Sequence, residues 1–125
     1  MTKPHLGLFD LSEETGRLAP GSGESGRRAE ILIMNDRLRV VLIRMKTGAV
    51  MKEHSAPGPA TVQALSGAFI LSIAGIEHEM SAGGLIAFDG GVPHNVRAIG
   101  DGALLLTIAW APDWHGDDGD SDDMA

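Results

Sequence analysis

The chain has 125 residues, enough for one domain with a single modest core. It holds no cysteine, which removes disulfides, thiolate metal sites and a cysteine nucleophile, and leaves nitrogen and oxygen ligands for any ion. The net charge is −7, but five aspartates sit in the terminal HGDDGDSDDMA, so the body is close to neutral and lacks the basic footprint of a nucleic-acid binder.

Residues 1–29 read as an N-terminal arm and loop. LGLFDL offers a short apolar patch, and LAPGSGESGRR reads as a flexible loop. The start, MTKPHLGLFDLSEETG, turns acidic where a secretory signal would be apolar, and no run is long enough to cross a bilayer. The expectation is a soluble cytoplasmic protein without a membrane partner.

Residues 30–112 change in character. EILIM, then Asn35-Asp36, then RLRVVLIRM predict two β-branched strands joined by a tight turn. Alternation sets Arg37 and Arg39 on one face and Leu38 and Val40 on the other. The cluster of Arg27, Arg28, Arg37, Arg39, Arg44 and Lys46 reads as a solvated strand face. AVMKEH leads into Pro57-Gly58-Pro59, whose prolines forbid regular structure and make a rigid loop. TVQAL, AFILSI, IEHEM, LIAF, HNVRAI and ALLLTIAW follow as short strands, cut by glycine turns about every ten residues. That rhythm predicts an all-β sandwich or barrel with little or no helix. Aromatic residues are only 4% of the chain, so the core is expected to be aliphatic. Residues 113–125 read as an acidic, disordered, solubilising tail.

Two histidines carry the chemistry. Gly48, five residues, His54 and later Gly67 frame the Pro-Gly-Pro loop. Gly83, Gly91 and His94 form a second, spaced set. These intervals resemble the two motifs of the cupin superfamily, across roughly residues 30–110. The resemblance implies a double-stranded β-helix, or jelly-roll barrel, in which three His and one Glu point inward and hold a divalent ion such as manganese, iron, nickel or zinc. Ala56 stands at the second His position and Ala60 at the Glu position. Asp89 and Ala98 replace the Pro and Asn of the second motif. By this carry-over His54 and His94 are the candidate metal ligands. His78 shares strand parity with Ile76 and Met80 and is a possible third. His5 and His115 lie outside the barrel and are expected in solvent.

Three functions follow. In one, His54 and His94 hold a divalent transition metal with open positions, as in a dioxygenase- or isomerase-like cupin enzyme. In another, the barrel binds a small organic ligand: Ala56 and Ala60 widen it, Val50, Val62, Leu65, Ile86 and Phe88 wall it, and the histidines are polar anchors. In the third, the chain is a non-catalytic sensor or scaffold, a homodimer paired through RLRVVLIRM by analogy with the fold. No phosphate-cradling glycine loop, Gly-x-Ser-x-Gly elbow or carboxylate pair supports another chemistry.

Overall fold

A computed structural model describes residues 5–18 and 25–109. Its elements in chain order are α1 (Leu11–Arg17), β1 (Arg27–Met34), β2 (Leu38–Met45), β3 (Val50–His54), β4 (Ala60–Ser66), β5 (Ala68–Ile73), β6 (Ile76–Ser81), β7 (Leu85–Phe88), β8 (His94–Ala98) and β9 (Gly102–Ala109). The strands form two antiparallel sheets. One runs β1-β2-β9-β4-β7 and the other β3-β8-β5-β6. The expected all-β jelly-roll architecture is the one observed. The acidic tail and His115 lie outside the described residues.

Local chemistry explains the hairpins. Asn35 Oδ1 accepts hydrogen bonds from the backbone N–H of Arg37 (2.8 Å) and Leu38 (2.9 Å), closing the β1–β2 turn with its own side chain. Between β5 and β6 the two turn residues both take positive φ, Ala74 at 50° and Gly75 at 82°. That is the twist a two-residue hairpin needs, and glycine meets it without strain.

The core lies between the sheets. Val41, Ile43 and Met45 from β2 meet Leu104, Leu106 and Ile108 from β9, and Phe69, Leu71 and Val96 come from the opposite sheet. These residues alternate along their strands, as period two demands. The inward set of β2 is therefore odd-numbered, which places Arg39 inward and Leu38 outward. This reverses the sense in which a solvated arginine face was expected at Arg39. Its neighbours across the sheet are Ile108 on β9 and Met34 on β1. Burial lowers its guanidinium below the usual arginine value.

The N-terminal region holds one short helix. Asp10 caps α1 by accepting from Glu13 N–H at 3.1 Å. Arg44, outward on β2, donates to the Thr15 carbonyl and ties the helix to the outer face of that strand. Leu6 and Leu8 remain 68% and 91% exposed, so LGLFDL does not pack as a patch among the described residues.

Candidate functional site at one end of the barrel

His54 reaches the barrel interior because β3 is bulged. Val50 pairs with Arg97 and Met51 with Val96, but the next partner on β8, His94, faces His54. Three steps along β3 match two along β8. The extra residue turns His54 onto the face that Met51 occupies, against simple alternation. Val50, assigned to the pocket wall, is instead 48% exposed on the outer face. Met51 is the inward residue. His94 needs no such correction. It alternates with buried Val96 and Ala98 and is itself only 2% exposed.

The loops before β4 and before β8 lock together beneath this pair. Gly91 N–H donates to the Ala56 carbonyl at 3.0 Å. A Cβ on Gly90 would sit 2.8 Å from Gly58 Cα, so the two backbones approach closer than a side chain permits. The Pro-Gly-Pro loop and the turn leading to His94 are thereby one rigid unit.

Each imidazole is oriented by its own strand. His54 Nδ1 lies 2.5 Å from the Lys52 carbonyl, and His94 Nδ1 lies 3.0 Å from the Val92 carbonyl. A carbonyl only accepts, so Nδ1 carries the proton in both rings, an assignment made from the hydrogen bonds. The Nε2 lone pairs are then the reactive ends, and both atoms are buried. The rings meet edge to face at 4.2 Å with 61° between planes. Phe88 also packs on His94, with centroids 4.5 Å apart and 44° between planes.

The remaining predicted residues divide. Ala56, Ala60, Val62 and Phe88 are buried in the core, and Ile86 packs against it. Leu65 differs. It lies at a register shift of β4 between Ala64 and Ser66, on the parity opposite to Val62, and Ala64 is the inward residue. The alanines do not widen the interior as expected. Phe88 pairs with Ala60 across β4 and β7, so a large ring stands beside the small side chain. One space inside, lined by Met51, Val62, His94 and Leu106 among others, is about 10 Å³. That is roughly the space of a single water.

His78 has the predicted parity, since it pairs with buried Leu71. It lies on β6, the edge strand of its sheet, and is exposed. Two strand spacings, roughly 10 Å, separate it from β8. The fold does not bring it to the histidine pair. Sequence reasoning missed Arg39, whose inward rung runs through Ile108 and Ala60 to Phe88 at this end. The available signal was its parity with Val41, Ile43 and Met45.

The donors fit a metal only in part. Two Nε2 atoms held by Nδ1–H···O=C bonds have the outer support typical of metal-binding histidines. However, no group of three His, Cys, Asp or Glu that could hold an ion exists among the described residues. Such ions take four to six ligands, and alanines fill the two positions where the motif supplies more. The described residues do not provide a closed site for a resident ion.

Comparison with known proteins follows the geometry. No curated protein matches the chain. Among solved structures, a conserved protein of unknown function from Streptococcus pyogenes aligns with TM-score 0.71 and 23% identity, covering 87% of this chain and 91% of that one. An RmlC-like cupin from Shewanella frigidimarina aligns at 0.69 and 23% identity, over 84% and 92%. KdgF from a Halomonas species aligns at 0.65 and 19% identity, over 78% and 92%. At such identity these likenesses speak for the fold alone. The family model for the cupin domain matches residues 41–110, from β2 through the histidine pair to the end of β9, and the chain belongs to the cupin family.

Proposed function

We propose that this cupin binds a small organic ligand at the histidine end of its barrel, with His54 and His94 as polar anchors. The supporting observation is the matched orientation of the two rings. Each donates from Nδ1 to the carbonyl two residues upstream, so both present Nε2 as an acceptor at the same end. Imidazole nitrogens in a low-dielectric setting orient a polar group of a ligand, such as a hydroxyl, carboxylate or amide. Arg39 lies inward at the same end, on the rung that runs through Ile108 and Ala60 to Phe88.

A second reading is a two-histidine metal centre, and the backbone support of Nδ1 favours it. Such an ion would leave most of its coordination open. Metal content after purification, and titration with manganese, iron, nickel and zinc, separates the two. On the ligand reading, the purified protein carries less than about one-tenth equivalent of metal, and His54→Ala and His94→Ala leave metal affinity unchanged. Both substitutions abolish the thermal shift produced by a hit from a small-molecule screen. Stoichiometric metal that is lost in both variants would decide for the second reading. The homodimer expected through RLRVVLIRM is moved to the edge strand β1, because β2 is flanked by β1 and β9; Ile31 and Met34 there are exposed, which supports pairing at that edge, and sedimentation at micromolar concentration checks it.

A further inference from the structure

Two of the chain's departures from the family motif meet outside the barrel interior. A cleft of about 420 Å³ lies at the end of the larger sheet, within the range of small-molecule sites. Thr61, Ala87 and Thr107 line it as one outward rung, since Thr61 pairs with both Ala87 and Thr107. Ala60 and Phe88, themselves paired across β4 and β7, line it from the rung beside. Asp89, the next residue in the chain, is exposed and lines it too. Ala60 stands where the motif has Glu, and Asp89 where it has Pro. The other two replaced positions, Ala56 and Ala98, are buried in the core instead.

We propose that this cleft binds a compact organic cation, an apolar body carrying one ammonium group, with Asp89 as its counter-charge. The site is separate from the histidine end and uses neither histidine. Charge decides the ligand class. Asp89 is the sole charged side chain among the described residues that line the cleft. Its carboxylate forms no ion pair with another described residue. A cation is therefore attracted without breaking an existing pair, and an anion is repelled. The proline of the motif carries no charge, so it is Asp89 that gives the cleft its sign. The rest of the lining matches an apolar body. Ala60 and Ala87 leave room and offer methyl surface. Phe88 adds aromatic surface, to which a cation is drawn when it lies over the ring. The Thr61 and Thr107 hydroxyls, at paired positions, offer acceptors for ammonium hydrogens.

The test uses the full chain and three probes with one body and different charge: 1-naphthylmethylammonium, 1-naphthalenemethanol and 1-naphthoate. Each is followed by fluorescence titration at neutral pH and low salt. Wild-type protein is expected to bind the ammonium about fivefold more tightly than the alcohol, and the naphthoate most weakly. Asp89→Asn is expected to bring all three within about twofold while the alcohol keeps its affinity. Glu79→Gln removes an exposed carboxylate from the other sheet and is expected to leave the preference intact, which separates a local counter-charge from the net charge of the chain. Ala87→Trp, at an exposed position on an edge strand, fills the cleft and is expected to weaken all three probes at least about tenfold with an unchanged circular-dichroism spectrum. Equal wild-type affinity for the ammonium and the alcohol would overturn Asp89 as the counter-charge. So would a preference that Glu79→Gln lowers as much as Asp89→Asn does. Affinities that Ala87→Trp leaves intact would overturn the cleft as the site, and absence of binding by the ammonium probe would overturn the ligand class.

Discussion

The two ends of the barrel are built by the same device and filled differently. At the far end, a Cβ on Gly102 would lie 2.4 Å from the Ser66 carbonyl and 2.8 Å from the Phe69 ring. At the histidine end, Gly90 meets Gly58 in the same way. Each end uses a glycine to press two chain segments into contact. At the far end the space beneath is closed by Phe69, which is fully buried. At the other end Phe88 stands over a histidine and borders an open cleft. Close packing secures the fold at one end, and the same packing positions polar groups at the other.

The largest test of this contrast is truncation of the two rings. Phe69→Ala is expected to cost about 3–5 kcal/mol in urea unfolding, because the cavity it leaves is sealed. Phe88→Ala is expected to cost at least about 1 kcal/mol less, because its space opens to the cleft. Equal losses would mean that the two ends are packed alike. Next come the glycines. Gly102→Ala and Gly90→Ala are each expected to cost about 1–3 kcal/mol, since backbone must shift to admit the methyl. Only Gly90→Ala is expected to weaken ligand binding as well, because it moves the loop that carries His94.

A smaller effect, in the opposite direction, is expected from the double change of His54→Leu and His94→Leu. Replacing both polar rings by apolar side chains leaves stability unchanged or raises it by about 1 kcal/mol, while ligand binding is lost. A clear destabilisation would show that the pair is there for the fold. The smallest effect lies in the loop between β8 and β9. Asp101 accepts from Thr47 N–H (2.8 Å) and Oγ1 (2.9 Å), which holds its carboxyl below the usual range. The folded value is depressed, so this stabilisation is complete above the ordinary aspartate value near about 4 and fades as pH falls through the folded value. Between about pH 6 and pH 3, wild type is expected to lose slightly more of its urea midpoint than Asp101→Asn.

Much of this molecule was legible one residue at a time. The turns at Asn35 and Ala74-Gly75 follow from which side chains tolerate or close them. The aliphatic strands follow from β-branched runs, and the family frame from the spacing of Gly48, His54, Gly67, Gly83, Gly91 and His94. What went astray depended on the partner strand. Val50 was set in the pocket wall together with the His54 anchor, and a bulge invisible in the chain put the two on opposite faces. Arg39 was set in solvent with Arg37, although its rung continues through Ile108 to Phe88.

The sequence by itself determined the strands, the turns and the presence of two spaced histidines, because these depend on local backbone preference and on a period of two. The tertiary structure decided which face each side chain takes where a bulge adds a residue. It also decided that His78 stays on an exposed edge and that Phe88 fills the room beside Ala60. Those outcomes depend on register across strands and on volume shared between sheets, quantities that no single stretch of chain contains.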